Sequence, residues 1–207
     1  MIIMRHIVLT RASFENDDMF KKYYEVMKNV YIPSILSQTC KNFELYILVN
    51  EQHKSFLEDE FIKHGIKITT IVGNGHTYNK YARKNPIEIQ TRHDCDDWMA
   101  PTYIESIRSK CEEHSKTFDT FLVQGQPTKL DYHTGNEYEM GIYPETRTSM
   151  FLTLYQKSGN LSIMDQSHTK FPTLVPTVFS LEGNPVKWVI HGNNTQGKIK
   201  ETDIRIS

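Results

Sequence analysis

The sequence holds only three cysteines, Cys40, Cys95 and Cys111, with no Cys-x-x-Cys pair among them. That argues against a disulfide framework and against a cysteine zinc site. It has no run approaching the roughly 18 apolar residues that a membrane span needs. Met1-Ile2-Ile3-Met4-Arg5-His6 meets a charge too early for a signal peptide. A cytoplasmic location is therefore expected, and the glycosylation patterns at Asn160-Leu161-Ser162 and Asn193-Asn194-Thr195 read as accidental. Neither sign of charge is in excess: Lys+Arg number 24 and Asp+Glu 25, for a net charge of −1. A nucleic-acid binder needs a basic excess to neutralise phosphates, so that partner is disfavoured. A Walker A motif, a GxGxxG turn and a GxSxG elbow are all missing. There is also no repeat, low-complexity tract or linker, and 207 residues fit one domain.

What is present is a strand and helix alternation in the first half. His6–Thr10 is a short apolar run of the kind a buried parallel strand gives, and Asn16 or Asp17 can cap the helix that follows. Phe20, Tyr23, Tyr24, Met27, Val30 and Tyr31 fall at spacings of three and four, one helical face, and Pro33 ends or kinks that helix. Phe43–Val49, Ile66–Val72 and Ile87–Thr91 read as further strands, Phe56–His64 and Tyr78–Lys84 as helices between them, and a helix past Pro101 runs to about His114. This alternation predicts an α/β fold with a mostly parallel central sheet. Beyond it the pattern turns β-rich, with strands at Phe118–Lys129, Tyr138–Tyr143, Met150–Tyr155, Thr177–Leu181 and Val186–Ile190. The chain is thus expected to be a single domain over 1–207, with one half to about 115 and a β-rich half over 116–207.

At the junction lies His93-Asp94-Cys95-Asp96-Asp97. Three carboxylates within four positions repel one another unless a cation sits among them. Asp94 and Asp96 can point to one side and offer hard oxygens suited to Mg²⁺ or Mn²⁺. The plainer alternative is that an aspartate, Asp97 for instance, caps the helix near Pro101. An EF-hand loop is ruled out, because counting from Asp94 its glycine and glutamate positions hold Met99 and Glu105.

Three stretches in this order resemble glycosyltransferases of the GT-A fold, in particular the family 2-like group and its rhamnosyltransferases. They are Pro33-Ser-Ile-Leu-Ser-Gln38-Thr39 leading into Asn42–Val49, Tyr81-Ala-Arg83-Lys-Asn85, and Thr91-Arg-His-Asp94-Cys-Asp96-Asp97. The whole chain is also similar to an amino-terminal glycosyltransferase domain of a large chlorella-virus protein. The resemblance implies a Rossmann-like nucleotide-diphospho-sugar transferase domain, with a donor half followed by an acceptor half. It further implies a UDP-sugar donor, such as UDP-glucose or UDP-rhamnose, from which a hexose or deoxyhexose passes to a glycan acceptor, here one on a viral capsid glycoprotein. A Mn²⁺ or Mg²⁺ cofactor bridges donor and motif in this reading.

Carried onto this chain, Asp96 is the metal ligand, Asp94 contacts the ribose and the metal or its water, and Cys95 lies between them. Thr10 and Arg11 line the nucleotide pocket and Arg83 lies near base or diphosphate, its guanidinium suited to phosphate oxygens. The family usually places an aspartate after the second strand to read uracil; here Asn50-Glu51 stands there, and Asn50 can still bond a uracil edge. His191, ending an apolar run before Gly192, is the candidate for a further metal ligand, the alternative being a surface turn. His93 is either a donor behind the acidic cluster or a surface residue. Asp97 and Asp165 are the candidate catalytic groups, Asp165 as the base on the acceptor side, with a solvated loop aspartate as the alternative. Arg11, Arg83 and Lys187 can assist the departing diphosphate, and Trp98, Tyr143, Tyr155 and Trp188 can stack on sugar rings.

Two other classes share parts of this pattern. A sugar-nucleotide nucleotidyltransferase needs a glycine-rich signature near the first strand, which Thr10-Arg-Ala-Ser-Phe14 lacks. A non-catalytic carbohydrate- or metal-binding module needs no turnover. The compact length and the ending at Ser207 lead us to expect a domain excised from a longer polypeptide.

Overall fold

The computed structural model describes residues 4–85, 88–139, 151–158, 160–167, 170–183, 185–192 and 204–206. In chain order the first half gives β1 (His6–Ala12), α1 (Asp17–Val26), α2 (Ile32–Leu36), β2 (Glu44–Val49), α3 (Lys54–Lys63), β3 (Ile68–Val72), α4 (Gly75–Lys84), β4 (Ile89–Asp94), β5 (Trp98–Met99) and α5 (Tyr103–His114). The second half gives β6 (Thr120–Gln124), β7 (Pro127–Asp131), β8 (Glu137–Glu139), β9 (Leu152–Gln156), β10 (Val178–Ser180), β11 (Val186–Ile190) and β12 (Ile204–Arg205). Seven strands form the main sheet in the order β10-β6-β9-β4-β1-β2-β3, and five form a second sheet in the order β12-β8-β7-β11-β5. β1 to β4 run parallel, while β9 lies antiparallel between β4 and β6. The expected parallel α/β arrangement is therefore what the chain adopts.

The main sheet is covered on both faces. One face carries Val8, Leu45, Ile47 and Ile89 against Phe20, Tyr31, Leu57, Phe61, Ile104 and Ile107 of the helices α1, α3 and α5 and of the turn before α2. The other carries Ile7, Leu9, Tyr46 and Leu48 against Tyr78 and Ala82 of α4 and Ile163, Phe171 and Val175 of the later loop. Strands buried on both faces read as near-continuous apolar runs, as β1 and β2 do. β4 does not: its sequence is Ile-Gln-Thr-Arg-His-Asp, although it lies between β1 and β9.

Pro33 neither ends the first helical stretch nor leaves it regular. Residues Met27–Tyr31 form a π-helical turn, and Pro33 falls in the first turn of α2. A proline cannot donate back to the preceding turn, so the ladder widens by one residue just before it. The change rotates Tyr31 inward, where its hydroxyl meets that of Thr10.

The expected strand over Phe118–Lys129 is two strands in different sheets, β6 and β7. Between them Gly125 passes so close to the second sheet that a Cβ there would lie 3.0 Å from Val186 Cγ2. Pro127 then cannot donate to a ladder. The division near residue 115 is likewise not a division between sheets. β6, β9 and β10 complete the main sheet, and β5 of the first half joins the second. The expected strand over Tyr138–Tyr143 is seen as β8, its remainder lying outside the described residues.

Candidate functional site

The order of the main sheet reverses at β1, whose neighbours are β2 and β4. In open α/β sheets the crevice beyond the carboxyl ends of the strands at such a point receives ligands. Here those ends carry Arg11 and Asp94, which are register partners. β4 runs three residues further than the apolar pattern indicated, so Asp94 is the last strand residue and not part of a loop. The turn over Asp94–Asp97, closed by a 3.3 Å bond from Asp97 N to Asp94 O, carries the chain from the main sheet into β5 of the second.

The second sheet returns to this turn through β11. Asp97 Oδ1 accepts the Val189 N–H at 3.0 Å, and His191 Nε2 lies 3.0 Å from Asp96 Oδ2. His191 is 3% exposed, which overturns the surface-turn alternative. Gly192 adopts φ +79°, a conformation open to glycine, directly after it. Burial pushes the Asp96 carboxyl up, with the His191 bond opposing, and pushes that of Asp97 up further, with Asp96 and Asp94 adding repulsion. The Cys95 thiol is raised by its burial and by the three flanking carboxylates. Tyr23 of α1, which the sequence marked only as a helix-face residue, sets its ring edge-on to His191 at 4.8 Å. Burial and Asp96 raise its hydroxyl to about 12.

The oxygen donors expected to receive a divalent cation are those of Asp94 and Asp96. Asp94 Oδ1 is buried with no hydrogen-bond partner, its nearest cation being Arg92 Nε at 3.8 Å. Carboxylate oxygens suit Mg²⁺ or Mn²⁺, and Mg²⁺ usually completes its shell with water and substrate phosphate, whereas an imidazole better suits Zn²⁺ and the later transition metals. Among the described residues, no group of three or more His, Cys, Asp or Glu side chains is placed so that it could hold a metal ion.

The other expected site residues are placed as follows. Thr10 is fully buried, its hydroxyl held by Tyr31, and does not face a pocket. Arg11 is exposed. Asn50 follows β2 and accepts the Phe14 N–H at 2.8 Å, tying the loop after β1 to the end of β2. Arg83 and Asp165 meet each other: Nη2 lies 2.5 Å from Oδ1, while Oδ2 accepts the Ser162 N–H at 2.8 Å. Asp165 is 11% exposed, so it is not a solvated loop aspartate. His93 is fully buried, with Nε2 3.3 Å from the Asp97 carbonyl, which places it behind the acidic turn. Lys187 pairs with Glu137 and lies over the Trp98 ring at 4.5 Å. Tyr155 is 4% exposed and stacked on Phe121, so it is core and not a sugar platform. Trp188 is half-buried against the main core, and Tyr143 lies outside the described residues.

Asp97 does not cap α5, whose first turn has no capping side chain of its own. Gln38 does that work from the other side of the fold: its Oε1 accepts the Ile104 N–H at 3.2 Å, and its Nε2 donates to the carbonyls of Ala100 and Ser34 at 2.8 and 3.0 Å. The Pro33–Thr39 stretch thus fixes the exit of the acidic turn. No local spacing could have revealed this bond between residues 66 positions apart.

The architecture, a mixed α/β fold with a mostly parallel central sheet, is shared with solved transferase structures. No family model matches the chain and no curated protein matches it, so the fold rests on solved structures. The crystal structure of S. aureus TarS 1–349 in complex with UDP-GlcNAc matches with a TM-score of 0.61 at 11% identity, over 95% of this chain and 62% of that one. The same TarS piece in complex with UDP gives 0.57 at 12%, over 90% and 61%. The inositol-1-phosphate CTP transferase of T. maritima gives 0.52 at 14%, over 91% and 90%. The chain spans about three fifths of the TarS piece. Among the described residues, no helix is long and apolar enough to cross a membrane.

Proposed function

We propose that this chain is a metal-dependent glycosyltransferase domain that binds a UDP-sugar at the carboxyl ends of β1, β2 and β4. The observations that support this best are Arg11 beside Asp94 at the reversal point of the sheet and Asp96 against His191 in the turn that follows, in a fold shared with a UDP-GlcNAc complex. Asp96 and His191 would hold Mn²⁺ or Mg²⁺, and Asp94 would contact the ribose and the metal or its water. Bound there, the cation acts as a Lewis acid on the departing diphosphate. Asn50, with its oxygen held by Phe14, offers its amide N–H groups to the base. Cys95, between the aspartates, is proposed to belong to the cofactor-binding set, although its side chain is buried. Asp97 ties β11 to the turn and so positions His191 relative to Asp96. For Asp165 to take the acceptor proton, Arg83 must first release Oδ1. The proposed transferred group is a hexose or deoxyhexose, from UDP-glucose or UDP-rhamnose. The proposed acceptor is a glycan, such as one on a viral capsid glycoprotein.

Calorimetry with UDP and UDP-sugars in Mn²⁺ is expected to show binding that Asp96→Ala removes; no binding with either metal would overturn the proposal. The T. maritima neighbour shares this fold and is a CTP transferase, so nucleotidyl transfer is the second reading. The products separate the two: glycosyl transfer releases UDP, whereas nucleotidyl transfer releases pyrophosphate. Binding without either product would identify a non-catalytic module.

A further inference from the structure

β4 lies between two strands, yet five of its six side chains are polar. A buried polar side chain is destabilising unless partnered, so each should have found a hydrogen bond. Three of them have. Gln90 bonds Tyr78, Leu161 and Ile163, Thr91 bonds His6 and Thr153, and His93 meets the Asp97 carbonyl. Arg92 has not. Its side chain is 17% exposed, and among the described residues its sole ion pair is the 3.8 Å approach to Asp94, beyond hydrogen-bond reach. A guanidinium carries five donors in a fixed fork, and no nitrogen of this one is among the buried unpartnered atoms, so its donors stay open to water or to a ligand.

Alternation along the strand puts Arg92 on the same sheet face as Asp94. Arg11 is the register partner of Asp94 and Leu9 that of Arg92, so Arg11 shares that face as well. Two guanidinium groups therefore flank the carboxyl end of the switch point. The cations expected there from sequence are engaged elsewhere, Arg83 by Asp165 and Lys187 by Glu137.

We infer that Arg92, with Arg11 beside it, is a phosphate-binding residue of this cleft and holds a diphosphate without requiring a metal. For a nucleoside diphosphate this rests on the proposed function; for the diphosphate itself it does not. The probe is therefore inorganic pyrophosphate, titrated calorimetrically into the full chain in EDTA. Wild type is expected to bind. Arg92→Gln should weaken binding about tenfold or more, the loss of charge-assisted bonds worth at least ~1.4 kcal/mol. Arg92→Lys should recover part of the loss, keeping the charge without the fork. Asp94→Asn should tighten binding more in wild type than in Arg92→Gln, because it frees the guanidinium as well as relieving repulsion; equal tightening in both would overturn the role of Arg92. Should Arg92→Gln fail to fold, phenylglyoxal modification of wild type followed by mass spectrometry gives the same answer, with pyrophosphate protecting Arg92. Absence of metal-free pyrophosphate binding, equal binding by the folded Arg92→Gln variant, or no protection would overturn the inference. Pyrophosphate binding without any UDP binding would instead sustain it while refuting the UDP-sugar reading.

Discussion

Buried histidines show how single residues set the response of this molecule to acid. His6 is 2% exposed, bonded through Nε2 to Thr91 at 2.8 Å, with Arg108 as its charged neighbour. Burial lowers its pKa to about 3, and that of His93 to about 4. Between these values and the ordinary ~6.5 the unfolded chain binds protons that the folded chain refuses. Stability contributed in this way is complete above about pH 6.5 and is lost as the pH falls, at up to roughly 1.4 kcal/mol per pH unit and group. Urea midpoints at neutral and mildly acid pH should fall accordingly, and His6→Gln should flatten the slope without abolishing it, since His93 contributes with the same sign. A His6→Gln variant whose midpoint falls as steeply as that of wild type on acidification would refute this account. The raised Asp96 and Asp97 carboxyls act in the opposite direction, which is why the variant comparison carries more information than the wild-type slope.

Among elements, α5 depends on a remote side chain. Gln38→Ala leaves the Ile104 N–H and two carbonyls without their partner, and at about 1 kcal/mol or more per buried group the expected loss is roughly 2–3 kcal/mol. A lower denaturant midpoint at unchanged m-value is the expected signature; a change below about 0.5 kcal/mol would show that water replaces the amide. The same bond shows what could be read from sequence. Strands such as β1 and β2 were legible because burial on both faces makes an apolar run, and Asn16 was legible as the cap of α1, where its Oδ1 accepts the Met19 N–H at 2.9 Å. The acidic turn stood out by local density of charge. Gln38 capping α5, Arg83 meeting Asp165, and Arg92 reaching the cleft were not legible, since each depends on contacts across the fold. The one hint for Arg92 was an Arg-x-Asp alternation at a strand end, which a strand scored by apolarity alone cuts off at Thr91.

For the whole molecule, the acidic turn joins the two sheets. A ligand held by Asp96 and His191 bears on both, so donor with Mn²⁺ should raise the melting temperature by mass action. Amide exchange should slow in β5 and β11 more than in β3, which lies at the far edge of the main sheet. Equal slowing in all three would mean that binding stabilises the fold without engaging the junction. The contacts that close this junction are distant in sequence: Asp96 and His191 stand 95 positions apart, and Asp97 and Val189 stand 92 apart. β4 gains its second neighbour when β9 arrives, with Thr91 opposite Thr153. Such non-local pairing makes folding slow, because long loops must close before any contact rewards them. During synthesis the polar strand at the centre of the sheet therefore waits, open along one edge, until roughly three quarters of the chain has left the ribosome.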